Sequence, residues 1–170
     1  MAFITTLDTF HTLDLFPQTI PVDHTAAAAG TFNGQLLVGL VITTASSTLR
    51  LVAFQTLGRF FTYQLSILPE HKLVTHGSYS YVRHPSYTAL IFCYVGMLLT
   101  VTAPGGVWYD YFGVNSTMRL ATVGALSIGG VVYKLVCRAE IEDRVLRKEF
   151  GKEWEEWARV VRYKFVPGVL

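Results

Sequence analysis

Long stretches without a single charge alternate along this chain with short stretches crowded with them. Thr25 to Leu49 holds no Asp, Glu, Lys or Arg, and neither does Ser86 to Tyr109. Between Arg119 and Cys137 the run is broken only by Lys134, near its end. About 20 helical residues cross the hydrocarbon core of a bilayer, so the three runs predict spans over about 32–56, 86–103 and 117–137. Helices of a soluble bundle would show a polar face, and these show almost none. Pro85 can start the second helix, because a missing N–H costs nothing in the first turn, and Pro104-Gly105-Gly106 should end it. Gly39, Thr43 and Ser47 recur at intervals of four in the first run, as do Ala121, Ala125 and Gly129 in the third. Such small-residue faces let helices approach closely. Arg50, near the end of the first span, can snorkel toward the interface.

These elements make the fold all-α, a multi-span integral membrane helical bundle. The segment before the first span has a different character. Met1 to His24 carries no Lys or Arg, and so lacks the basic start of a secretory signal. It holds Asp8, Asp14, Asp23, Pro17 and Pro21, and reads as an N-terminal arm over 1–31, with Phe3, Phe10, Leu15 and Phe16 available for an interface. Residues 32–170 then form one membrane domain, with polar segments at 57–85 and 138–170.

Composition agrees with this reading. Only 15% of the 170 residues are charged and 51% are hydrophobic, against about 25% charged in a soluble domain; mean hydropathy is +0.38. A disordered chain and a polar secreted scaffold are excluded, and a net charge of +2 supplies no field for nucleic acid. The placement of charge says more than its total. The first 49 positions hold three charged residues, all Asp, whereas eight basic and seven acidic residues lie from Arg138 onward. The loop from Pro104 to Asn115 has no Lys or Arg. The stretch from Thr56 to Pro85 has Arg59, Lys72 and Arg83, and the tail has Arg138, Arg144, Arg147, Lys148, Lys152, Arg159, Arg162 and Lys164. The positive-inside rule puts the long loop and the tail on the cytosolic side, and the arm and the Pro-Gly-Gly loop on the other. Cys93 and Cys137, without CxxC spacing, read as two small buried hydrophobes.

Two cytosolic segments carry the polar chemistry. One runs from Leu57 to Tyr87 and is rich in donors, acceptors and aromatic rings. Arg83 and His84 stand directly before a helix start, where anions and polar ligand groups are favoured. The same composition also suits an interfacial belt that only anchors the bundle. His71, His76 and His84, spaced by five and eight, share no helical face and have only Glu70 nearby, so their spacing does not describe a metal site. In the other segment Arg138 and Glu142 are four apart on one helix face. By periodicity alone they could equally be a surface ion pair worth about 0.3–0.5 kcal/mol. Ile141, Val145, Leu146 and Phe150 form an apolar stripe on the same helix, Gly151 is placed to end it, and Trp154 and Trp157 suit a headgroup-level anchor.

Taken in order, the two segments resemble the isoprenylcysteine carboxyl methyltransferase family. The pieces are Gln64, then His71-Lys-Leu-Val74, Gly77-Ser-Tyr79 and Arg83-His-Pro-Ser-Tyr87, a hydrophobic hairpin, Arg138 with Glu142-Asp143, Phe150-Gly151, and Pro167. Arg83-His-Pro-Ser-Tyr87 alone is shared in versions by phospholipid methyltransferases and sterol reductases; the ordered set is the specific signal. The resemblance implies an endoplasmic-reticulum enzyme with a cytosolic pocket formed by the 57–87 loop and the C-terminal helices. It would use S-adenosylmethionine (SAM) to methylate the C-terminal carboxylate of prenylated cysteine in CaaX-processed proteins. It further implies that Gln64, His71, Lys72, Leu73, Val74, Tyr79, His84, Pro85, Ser86, Tyr87 and Glu142 line the cofactor pocket and that Arg138 faces the substrate carboxylate. Partners would be prenylated protein C-termini and membrane lipid, with no nucleic acid. The chain has Ala89 two residues after Tyr87, where the family often has Gly. It has Glu142-Asp143 for a frequent Glu-Glu pair, and fewer spans ahead of the cofactor motif. Two other readings are a methyltransferase for another lipid-like acceptor, such as a phospholipid amine, and a non-catalytic membrane protein of the same fold.

Overall fold

The computed structural model describes residues 33–60 and 72–168. Gln64 and His71, with the arm at 1–31, lie outside the described residues. What is described is helical, with no strand among its elements: α1 (Gly34–Leu57), α2 (Pro85–Val101), α3 (Val107–Phe150) and α4 (Lys152–Val160). Short 3-10 turns lie at Gly58–Phe60 and Gly77–Ser80.

Each boundary has a local cause. Asn33 caps α1, its side chain accepting from the Gln35 N–H at 2.9 Å and satisfying one orphan donor of the first turn. Pro85 opens α2. The second helix ends at Val101, and the chain turns through Pro104-Gly105-Gly106 into α3. That third helix begins well before the expected 117, with a first turn from Val107 that breaks at Gly113, where φ is 74°. From there it runs on through Phe150. The charged stretch after Arg138 is therefore a rigid continuation of the apolar stretch before it. Gly151, at φ 54°, ends it, a conformation that costs an L-residue but not glycine.

The first two helices pack at the closest approach that backbones allow. A Cβ on Gly39 would lie 2.7 Å from the Thr100 backbone nitrogen, and one on Gly96 would lie 2.7 Å from that of Thr43. The Gly39–Thr43–Ser47 face thus meets α2, and Ser47 Oγ reaches within 3.8 Å of Cys93 Sγ. At one end Gln35 Nε2 donates to the Leu99 carbonyl and Thr102 Oγ1, and Asn33 Nδ2 donates to the Pro104 carbonyl. Toward the other, Arg50 donates to the Ser86 carbonyl at 2.9 Å and stacks on Phe54, so its guanidinium is used inside the protein rather than extended to the interface.

The third helix does not use its Ala121–Ala125–Gly129 face to meet α2. Ala125 and Gly129 are exposed. Contact runs instead through Gly124, whose missing side chain admits Leu98. Beside it lies an apolar groove of about 220 Å³ lined by residues including Tyr94, Leu98, Leu120 and Val131. Cys137, expected inside, is exposed, and Cys93 is half-buried.

Two helices are long and apolar enough to cross a membrane by length and composition, Gly34–Leu57 and Trp108–Phe150. Their large side chains point outward, with Val41 67% and Leu126 73% exposed. A soluble core helix would bury such residues. The second helix is apolar but has 17 residues, a rise of about 25 Å against a core of about 30 Å.

Candidate functional site

At the N-terminal end of α2 the chain brings together three segments that are far apart in sequence. Backbone bonds fix the first two: the Arg83 N–H donates to the Tyr163 carbonyl at 3.0 Å and the His84 N–H to the Lys164 carbonyl at 2.9 Å. Thr88 Oγ1 adds a bond to the Phe165 carbonyl at 2.7 Å. The tail after α4 is thereby tied along the start of α2, and α3 presents Arg138, Glu142 and Asp143 to the same place.

Five charged or ionisable groups and one phenol form a continuous chain there. Arg83 donates to Asp143 Oδ2 at 2.8 Å and to the Arg162 carbonyl at 3.2 Å. His84 Nε2 lies 3.1 Å from Asp143 Oδ1, and His84 Nδ1 lies 3.5 Å from Glu142 Oε2. The Tyr87 hydroxyl donates to Glu142 Oε1 at 2.5 Å and accepts from Arg138 Nε at 2.8 Å. The same Arg138 N–H reaches Glu142 Oε1 at 3.0 Å. The His84 ring stacks nearly parallel to Tyr87 at 5.5 Å and lies 5.9 Å from Phe165.

Burial makes these contacts matter. The side chains of His84, Arg83, Asp143 and Glu142 are between 7% and 19% exposed, whereas that of Arg138 is 48% exposed. For His84, desolvation works against its charged form, but the hydrogen bonds and charges of Asp143 and Glu142 outweigh it and raise its pKa. Beyond the apolar part of α3, burial likewise pushes the Glu142 carboxyl up, while bonds from His84, Tyr87 and Arg138 hold it below its ordinary value. The buried Tyr79 phenol is pushed well above its usual range by desolvation and then by the charge of Glu142. The site therefore favours an ionised Glu142, a charged His84 and a neutral Tyr79 phenol.

The residues expected from sequence divide clearly. His84, Tyr87, Arg138 and Glu142 meet directly. Pro85 is fully buried at the helix start, and Ser86 gives its carbonyl to Arg50. Tyr79 is buried and its carbonyl accepts from Trp157 Nε1 at 3.3 Å. Lys72, Leu73 and Val74 lie in the irregular approach to the Gly77 turn, Lys72 exposed and the other two half-buried. Asp143 and Arg83 were not among the expected pocket residues, yet they complete the chain. Their signals were present: Arg83 precedes the helix start, and an acid next to Glu142 can reach the other edge of the same imidazole. The tryptophans also differ from expectation. Trp154 is buried against the Arg83 guanidinium at 5.8 Å and Trp157 bonds Tyr79, so both pack α4 onto the site instead of anchoring it in headgroups.

The fold and site thus define a class, an all-helical chain with apolar helices of membrane-crossing length and a buried charged cluster beside them. The chain belongs to the isoprenylcysteine carboxyl methyltransferase (ICMT) family, whose model matches residues 37–122. A probable protein-S-isoprenylcysteine O-methyltransferase of Oryza sativa subsp. indica is 34% identical over 127 residues, 73% of this chain and 57% of that protein. Protein-S-isoprenylcysteine O-methyltransferase B of Arabidopsis thaliana is 30% identical over 126 residues, 72% of this chain and 55% of that protein. The Dictyostelium discoideum protein-S-isoprenylcysteine O-methyltransferase is 25% identical over 135 residues, 78% and 49% of the two. The chain spans about half the length of these curated relatives. No solved structure matches it. The family match includes the segment from Arg83 to Tyr87 and stops before Arg138; the structure supplies the contact between the two. Family and apolar helices together speak for a membrane protein.

Proposed function

We propose that the chain is the membrane methyltransferase domain, over 32–170, of a SAM-dependent protein-S-isoprenylcysteine O-methyltransferase. It would lie in the endoplasmic reticulum with three spans and its site facing the cytosol. Prenylated protein C-termini are its substrates in this reading. The observation that carries it is the Tyr87–Arg138–Glu142 hydrogen-bonded triad, which joins the two segments that resemble the family.

The residues suit an anionic acceptor. A free carboxylate has a pKa near about 3.5 and is ionised at neutral pH, so its methylation needs alignment and desolvation but no base. Arg138 is the half-exposed cation of the cluster, and its guanidinium plane is set by Tyr87 and Glu142. A guanidinium so fixed receives a carboxylate and orients its oxygen. A phospholipid amine would first have to lose a proton to a base. Glu142 and Asp143 are each held by cations, and both ring nitrogens of His84 face carboxylates, so the cluster offers no ready base. That disfavours the amine acceptor.

Donors for the methyl source fit around the Gly77–Ser80 turn. Among the described residues, Ser78 Oγ, Arg83 Nε and Trp154 Nε1 here, and Trp108 Nε1 at the start of α3, are buried with no hydrogen-bond partner, and buried donors left unpaired are costly. Such donors match the acceptor-rich carboxylate, ribose and purine of SAM. Tyr79, His84 to Tyr87, Glu142, and Lys72 to Val74 would border it, with Gln64 and His71. Bound there, SAM would supply an electrophilic sulfonium methyl.

Transfer from labelled SAM to farnesylcysteine, beside a phospholipid amine panel, tests the reading. Label in the prenylcysteine ester supports it. Label in the amine alone, or SAM binding without transfer to any acceptor, contradicts it.

A further inference from the structure

His84 has a carboxylate at each edge of its ring. We propose that His84 acts as an imidazolium brace between Asp143 and Glu142, a positioning residue that sets the carboxylate to which Tyr87 and Arg138 are bonded, and does not meet the methyl donor through its ring. This deepens the proposed function and rests on it for the catalytic consequence only.

The geometry requires two donors. A neutral imidazole has one N–H and one lone pair. In either tautomer one ring nitrogen would turn its lone pair toward a carboxylate oxygen, at 3.1 Å for Asp143 or at 3.5 Å for Glu142. With the ring 7% exposed, water cannot relieve that repulsion. The doubly protonated ring satisfies both sides. Flanking aromatic faces favour the cation as well: Tyr87 lies parallel at 5.5 Å and Phe165 is tilted at 5.9 Å.

The surrounding groups point the same way. From its own segment comes Arg83, which is committed to Asp143 Oδ2. From α3 come Asp143, Glu142 and, through Glu142, Arg138. The second helix contributes the Tyr87 phenol, and the Gly77–Ser80 turn the neutral Tyr79. From the tail, Lys164 gives its carbonyl to the His84 N–H while its amine turns 3.5 Å toward Glu140. Among the described residues, Asp143 and Glu142 lie between the cations Arg83, His84 and Arg138, so the charge of His84 helps to set how positive the place is where an anionic acceptor would bind. Loss of the His84 proton removes that charge and turns a lone pair toward a carboxylate. The site is thus set for its acceptor when His84 is charged and is unset as pH rises.

The test uses the full chain in lipid nanodiscs with ¹³C-labelled histidine, the His84 ring signal being assigned by its loss in His84→Gln. The brace predicts an imidazolium signal that persists above pH 7, and a titration midpoint about one unit lower in Asp143→Asn. Glu142→Gln is the second variant should Asp143→Asn not fold, with the same direction of shift. A neutral His84 at pH 6.5, or a midpoint that neither variant moves, overturns the brace. In the transfer assay to farnesylcysteine, the loss of kcat/KM at high pH should move down with the variant's ring titration. His84→Gln should raise KM for the acceptor by about tenfold at pH 6.5, a larger effect than on SAM affinity. A loss of SAM affinity in His84→Gln as large as the rise in acceptor KM, or a pH profile that stays put, refutes the positioning role. Absence of transfer at every pH would count against the methyltransferase reading and leave the ring titration to decide the brace.

Discussion

Along the α1–α2 interface, Gly39 and Gly96 bring two backbones together with no charged group between them. At the N-terminal end of α2, Arg83, His84, Asp143, Glu142 and Arg138 meet almost entirely through charge. The two regions share one helix and are held by opposite means. The hairpin depends on what is missing, two side chains, and tolerates any environment in which the faces stay in contact. The cluster depends on every partner being present, because a buried charge that loses its counter-charge has no water to fall back on. The interface should therefore be insensitive to pH and salt, whereas the cluster should respond to protons, as the proposed function requires of it.

The contrast can be broken most severely at Asp143. Asp143→Ala leaves both Arg83 and one edge of His84 without a counter-charge and should cost about 3–5 kcal/mol, read as a large drop in the detergent-solubilised unfolding midpoint. Gly39→Leu should be milder, about 1–3 kcal/mol. Its Cβ meets the Thr100 backbone nitrogen at 2.7 Å and the Gly96 carbonyl at 2.9 Å, neither of which can swing aside. The same unfolding measurement checks it, and the loss should be equal at pH 6 and pH 8.

The cluster should show the pH dependence that the hairpin lacks. The folded-state pKa of His84 is raised, so its stabilisation is fully present below the unfolded value of about 6.5 and is lost as pH rises through the folded value. The stability difference between wild type and His84→Gln should therefore shrink on going alkaline. A difference that grows with pH would contradict the charged ring. The smallest effect belongs outside both regions. Arg147 and Glu155 pair at 2.8 Å with side chains 62% and 47% exposed, and Arg147→Ala should cost no more than about 0.5 kcal/mol, less in high salt.

The same contrast explains what could be read from the sequence. Uncharged runs located the three apolar helices, because hydrophobicity along a segment needs no partner, although only α1 and α3 reach membrane-crossing length. The Gly39–Thr43–Ser47 face was legible for the same reason. The Ala121–Ala125–Gly129 face is not the one that meets α2, because small residues permit close approach but do not command it; Leu98 at Gly124 chose that register. The helix start at Val107 was hidden by the break at Gly113. In the cluster, periodicity left Arg138 and Glu142 looking like an exposed pair, since the burial of Glu142 and the second partner of Arg138 are supplied by Tyr87 and His84, more than fifty residues away. Family resemblance supplied those residues; neither it nor periodicity supplied the brace, because Asp143 and Arg83 gain meaning only from which edge of the imidazole they face. Trp154 and Trp157 show the reverse error, aromatic residues suited to an interface that the fold uses as packing.

In the proposed function the Tyr87–Arg138–Glu142 triad receives the acceptor carboxylate. Transfer of label from SAM to farnesylcysteine by Arg138→Ala, measured beside SAM binding by calorimetry, tests it most directly. Transfer should fall by at least about tenfold, as for loss of a charge-assisted bidentate contact, with SAM binding retained. Wild-type transfer by Arg138→Ala would contradict it.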